Sequence, residues 1–271
     1  MKHFWVSMGL AGLYAGGYAL LMLLVSFLTG AAFSLWHMLS GSAASPAALQ
    51  AAYSHWLASA YPFVNLGINA LAALCIWGIR ALHRDERGAA LGFYPMPVPM
   101  WLHCLALGAA SAGAVMLLMG FLPESWLADY AEQSAVLEQG PLLARLLTIA
   151  VTAPFVEEML FRGLIYGTLR RGMARPLAIV LCALSFGAMH GQPVWIAYAV
   201  LLGLMLCLVR DACGSLWGPI CFHISFNMVG SFLLPQWRMQ GMQAFGVLSL
   251  SLAACFFLSG SLGLGGERKA P

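Results

Sequence analysis

Apolar runs recur along the whole chain, and each can cross a hydrocarbon layer about 30 Å thick at about 1.5 Å per helical residue. Eight are read, near residues 5–29, 61–82, 101–122, 142–169, 175–190, 193–209, 215–234 and 243–262, the fifth and sixth being short. The chain is 61% hydrophobic and 8% charged, a balance that no water-soluble domain needs in order to fill a core. The expected fold is therefore all-α: a polytopic integral membrane protein of about eight transmembrane helices, forming one membrane domain over residues 1–271.

Lys and Arg collect on the cytoplasmic side of membrane proteins. Lys2 precedes the first span; Arg80, Arg84 and Arg87 follow the second; Arg170, Arg171 and Arg175 join the fourth and fifth; Arg210 follows the sixth; Arg268 and Lys269 close the chain. Segments 30–60 and 123–141 hold no Lys or Arg, and the second carries Glu124, Asp129, Glu132 and Glu138. Arg145 and Arg238 are exceptions. Both termini are expected in the cytoplasm. The net charge of +3 reflects this orientation, and no basic cluster with interleaved aromatics suggests a nucleic-acid partner. The first run exceeds the usual signal-peptide core of about 7–15 residues and is read as an uncleaved anchor; cleavage would leave the remaining topology unchanged. Six of seven cysteines fall within predicted spans, none in CxxC spacing, as expected of small apolar packing residues.

Two exterior segments have helical character. "SPAALQAAYSHWLASAY" opens with Ser45 as N-cap and Pro46 at the first helical position, then puts Leu49, Tyr53, Trp56 and Leu57 on one face, which predicts an interfacial helix. "ESWLADYAEQSAVLEQ" repeats this more weakly, with Trp126, Leu127 and Tyr130 opposite acids. Both are read as surface anchors, with lids over a substrate entrance as the alternative. The pairs Gly12/Gly16 and Gly163/Gly167 have the small-xxx-small spacing of closely packed helices.

A charge at the bilayer centre costs about 2.5–3.5 kcal/mol on insertion scales and persists mainly beside a partner or water. Three polar clusters nevertheless occur within the spans: Glu157, Glu158 and Arg162; "FGAMH", Phe186 to His190; and "HISFN", His223 to Asn227. Positions i and i+4 share a helix face whereas neighbours diverge by about 100°. Arg162 is thus expected to hold Glu158 as an ion pair, leaving Glu157 for chemistry, while His223 and Asn227 share a face. Counted from the basic ends, Glu157, His190, His223 and Asn227 all reach about 14–22 Å into the membrane. The fifth and sixth spans are joined at that level by "GQP" alone, and irregular backbone there must be buried in protein or line water. A hydrated pocket near mid-membrane is expected.

The motifs "EEMLFR", "FGAMH" and "HISFN", with "GSLWGPICFH" leading into the third, resemble the EExxxR, FxxxH and HxxxN motifs of the CAAX protease and bacteriocin-processing family of intramembrane proteases, which includes the Ras-converting CAAX endopeptidase. The resemblance covers a catalytic core at about residues 142–232. It implies an eight-helix fold and peptide-bond hydrolysis within the membrane, with a membrane-embedded or lipid-associated peptide as substrate and a bacterial inner membrane as the expected location. By motif position Glu157 and His190 would activate water, His223 and Asn227 would stabilise the oxyanion, and Glu158, Arg162 and Phe186 would support the site. No metal is implied. Zinc on Glu157, His190 and His223, with Glu158 as base, stands as the alternative, weakened by the lack of HExxH and by the nearby Arg162.

Two other functions remain open. A proton-coupled transporter also needs Glu, His and Arg at mid-depth but usually shows inverted repeats, and no second EExxxR-like half occurs. A catalytically silent scaffold or immunity protein would keep the fold while losing motif residues, and every motif residue is present.

Overall fold

The computed structural model describes residues 2–42, 45–82 and 91–233, and their regular structure is helical throughout. Helix α1 runs over Lys2–Leu39 and α2 over Pro46–Leu82. Ser45 caps α2, its Oγ accepting the Ala48 N–H at 3.1 Å. The expected division into an interfacial helix and a separate span from residue 61 does not occur, because α2 passes through Pro62 unbroken. A lone proline without a neighbouring glycine kinks a helix more readily than it ends one. The face carrying Tyr53 and Trp56 packs on α1, where the Phe33 ring lies 5.3 and 5.1 Å from theirs.

Helix α3 (Val98–Met119) starts behind Pro97, and α4 (Glu124–Leu137) behind Pro123. From 142 to 172 the chain is one rod of alternating pitch: α5 (Leu142–Arg145), a π-helical stretch (Leu146–Thr152), α6 (Ala153–Glu158), a second π-helical stretch (Met159–Ile165) and α7 (Tyr166–Gly172). Arg145, an exception to the charge pattern, donates from Nε to the Leu137 carbonyl at 3.0 Å and so closes the end of α4. Helix α8 (Arg175–Ala188) turns through Gly191, at φ +72, into α9 (Pro193–Cys213). Gly214, at φ +63, ends α9 by donating to the Arg210 carbonyl. Helix α10 (Trp217–Met228) continues into a π-helical stretch over Val229–Leu233.

Among the described residues α1, α2, α3 and α9 are long and apolar enough to cross a membrane, and α8 is a shorter apolar helix. Spans four and seven of the sequence reading correspond to rods divided by π-helical turns, and the eighth, 243–262, lies outside the described residues. Leu20, Leu23 and Phe27 on α1 are largely exposed, as a lipid-facing helix requires. The buried residues concentrate instead in α3 and in the chain from 156 to 226.

The expected glycine contacts are misplaced. Around Gly12, Gly16 and Gly167 there is open space, and of the four only Gly163 is crowded, with Leu91 Cδ2 2.8 Å from where a Cβ would stand. The close helix approaches fall elsewhere. A Cβ on Gly108 of α3 would press on the Phe222 backbone of α10, and one on Gly203 of α9 would come within 2.9 Å of Ala183 Cα on α8. Spacing alone marks where helices can approach; the partner backbone decides where they do.

Candidate active site

Glu158 and Arg162 are fully buried and pair at 2.9 Å between Oε1 and Nη1. The i,i+4 geometry survives the π-helical turn between them. Arg162 Nη2 also donates to the Gly203 carbonyl at 3.1 Å, and its guanidinium lies 4.4 Å from the Phe186 ring centre. The cation thus sits between a carboxylate, a backbone dipole and an aromatic face, each of which lowers the cost of burying it.

His223 enters from α10 and brings the glutamates together. Its Nδ1 is 2.9 Å from the same Glu158 Oε1, while its Nε2 faces Glu157 Oε2 at 3.8 Å. A carboxylate held by arginine accepts hydrogen bonds, so His223 Nδ1 carries a proton toward it and Nε2 is the nitrogen left for other partners. Glu158 and Glu157 therefore do diverge, as their spacing predicts: one is sealed against Arg162, and the other keeps 22% of its side chain exposed.

His190 stands just past α8. Its Nδ1 is 2.9 Å from the Phe186 carbonyl, which can only accept, so this nitrogen is protonated and Nε2 is the free one. Phe186 is completely buried. Edge-on contacts bring its ring to His190 (4.8 Å), His223 (5.8 Å) and Phe161 (5.1 Å). One phenylalanine therefore touches residues of all three motifs, which explains its place four residues ahead of a histidine.

Asn227 lies one turn beyond His223. Its Nδ2 donates to the Ile149 carbonyl at 2.9 Å, reaching the first π-helical stretch of the motif rod.

Glu157, His190, His223 and Asn227 line a single cavity of about 240 Å³, together with Phe161 and Phe186. Helices from the first half of the chain form the opposite wall with Tyr18 of α1 and Tyr61, Asn65 and Asn69 of α2, and Tyr198 of α9 joins them. Asn69 Nδ2 donates to Thr152 Oγ1 at 3.1 Å, and Thr148 Oγ1 is 2.9 Å from the Pro62 carbonyl. These bonds fasten α2 to the motif rod. In the sequence, Asn65 and Asn69 stand four apart in an apolar span, the same spacing that marks His223 and Asn227. The tyrosines carried no comparable signal, since aromatics are ordinary in membrane helices. A smaller cavity of about 50 Å³ shares Tyr198, Asn227 and Ser231 with the larger one and is bounded by α3 and by Tyr130 of α4.

Helix α4 packs over this end of the molecule: the Tyr130 and Trp195 rings stand edge to face at 6.0 Å, Gln192 Nε2 reaches the Asp129 carbonyl at 3.4 Å, and Leu137 lines the main cavity. Among the described residues no group of three or more His, Cys, Asp or Glu side chains is placed to hold a metal ion.

A pair of imidazoles, a partly exposed carboxylate and a carboxamide around one cavity can move protons and polarise a carbonyl. Residues 139–229 match the family described as Rce1-like, the type II CAAX prenyl endopeptidases. No curated protein and no solved structure matches the chain.

Proposed function

We propose, for a chain whose residues 139–229 match the Rce1-like family of type II CAAX prenyl endopeptidases, that the cavity is an active site where a water molecule hydrolyses a peptide bond of a membrane-associated substrate. The observation that carries the reading is the meeting of Glu157, His190, His223 and Asn227, from three separate helical segments, around one space of about 240 Å³.

Glu157 takes the proton of the attacking water. It is the glutamate of the pair whose side chain stays partly exposed, and among the described residues no arginine pairs with it. His190 Nε2, held toward the cavity by the Phe186 carbonyl, accepts a second hydrogen bond from the water and orients it, and the proton that Glu157 has taken goes from Glu157 to the leaving amine as the C–N bond breaks. As the carbonyl oxygen gains charge, Asn227 offers the amide hydrogen that Ile149 does not use, and His223 in its doubly protonated form offers Nε2–H. In well-studied enzymes one such donor is worth about 3–4 kcal/mol of transition-state stabilisation. Glu158 and Arg162 act through His223, fixing the ring from behind.

The basic connections support a cytoplasmic location for both termini, and the apolar surface supports residence in a bilayer with the substrate entering from lipid. The reading is tested by comparing the membrane proteins of cells carrying the native chain with those carrying Glu157→Ala. At least one C-terminal peptide should be processed only in the first. Identical processing in both would remove Glu157 from any proteolytic role.

A further inference from the structure

Pro154 lies three residues before Glu157, in the first turn of α6 and directly behind the π-helical stretch Leu146–Thr152. Its position has a consequence for Asn227. In the π-helical stretch ahead of it each N–H bonds a carbonyl five residues back, and the last such bond runs from Ala153 N–H to the Thr148 carbonyl. The next in this register would run from residue 154 to Ile149. Proline has no N–H to give, so the Ile149 carbonyl is left without its helical partner. A carbonyl without a partner inside a membrane protein is costly and is nearly always satisfied from elsewhere. Here Asn227 Nδ2 satisfies it at 2.9 Å.

We propose that Pro154 is a positioning residue of the site: by withholding a hydrogen it leaves the Ile149 carbonyl free to hold the Asn227 carboxamide in one orientation. The carbonyl can only accept, so the nitrogen of the carboxamide and not its oxygen must face it. This fixes the flip of the side chain without a second protein partner. One amide hydrogen is engaged by Ile149, and the other stays with the cavity that Asn227 lines. The arrangement ties the third motif to the first through a backbone atom, and it depends on the residue at 154 being an imino acid.

The physical test does not require activity. The chain contains only three asparagines, Asn65, Asn69 and Asn227, so protein labelled with ¹⁵N-asparagine in detergent micelles displays three side-chain NH₂ pairs, and Asn227→Ala identifies the relevant one. In native protein one Asn227 amide hydrogen should exchange with solvent at least about tenfold more slowly than its geminal partner. Pro154→Ala supplies the missing N–H and should erase that difference. The kinetic arm rests on the proteolytic reading: with an internally quenched farnesylated CaaX peptide, Pro154→Ala should lower kcat by about tenfold to a hundredfold, the range typical of a misplaced catalytic group, with KM little changed. In an Asn227→Ala background it should lower kcat no further. Equal loss of kcat in both backgrounds, which would mean that Pro154 acts through Glu157, overturns the proposal. So does unequal exchange that persists in Pro154→Ala, or equal and rapid exchange in native protein. The last outcome needs no variant at position 154 and decides the matter even if Pro154→Ala does not fold. Absence of cleavage by native protein would instead count against the proteolytic reading, while the exchange data would still decide the anchor.

Discussion

His223 and Glu158 meet at 2.9 Å across two helices, and the glutamate oxygen that takes the imidazole is the one that takes Arg162. Three ionisable side chains, all at most 3% exposed, therefore form a single unit whose charges depend on one another. Removing one member leaves the others buried without compensation. Arg162→Leu and Glu158→Gln should each destabilise the protein by about 3–5 kcal/mol, seen as a lower unfolding temperature in detergent and a reduced folded yield. The double variant, which removes both charges, should recover part of that loss. A double variant as damaged as the sum of the two singles would refute the ion pair.

Phe186→Leu tests the aromatic hub. Losing the ring under the Arg162 guanidinium and beside both histidines should cost about 2 kcal/mol of stability. It should also lower kcat by a larger factor than it raises KM, because His190 and His223 lose a shared wall. Calorimetry and steady-state kinetics on the same preparation separate the two effects.

Gly108→Ala tests helix packing one residue from the site. The new methyl group would meet the rigid Phe222 backbone next to His223, and overpacking of this kind costs about 1–3 kcal/mol. Gly12→Ala, in open space, should leave the unfolding temperature unchanged within error. Equal effects at both positions would contradict the assigned α3–α10 approach.

The three motifs were legible because each obeys a local rule: charges are rare in apolar helices, and residues four apart share a face. Ser45 as a cap and the Glu158–Arg162 pair follow from the same reasoning, and each has the expected partner. What lay beyond the sequence depends on distant backbone. The glycines that matter, Gly108 and Gly203, are set by Phe222 and Ala183 across a helix interface, and no spacing within one helix identifies them. The π-helical turns arise in a rod whose hydrophobic pattern reads as ordinary helix, and with them the exposure of the Ile149 carbonyl. Asn65 and Asn69 were within reach of the i,i+4 rule. They carry no charge and belong to no motif, so they stand out less than the ionisable residues.

Metal removal separates two mechanisms. A water activated by Glu157 and His190 should survive prolonged incubation with a tight chelator in detergent, and elemental analysis should find well under one zinc per chain. A zinc enzyme built on Glu157, His190 and His223 would lose turnover and regain it with added Zn²⁺, because the ion would lower the pKa of the attacking water toward about 7. Stoichiometric zinc with metal-dependent recovery would replace the proposed mechanism and leave the proteolytic reading standing.

The most direct measurement is turnover of an internally quenched farnesylated CaaX peptide by purified native protein and by Glu157→Gln in proteoliposomes, with unfolding temperatures recorded alongside. Among the described residues the nearest charged partner of Glu157 is His223, whose Nε2 approaches its Oε2 at 3.8 Å, and glutamine keeps its shape. The account predicts that native protein cleaves the peptide and that Glu157→Gln loses at least about a thousandfold in kcat, of the order expected when a general base is removed, with an unchanged unfolding temperature. Cleavage by Glu157→Gln at the native rate would contradict it.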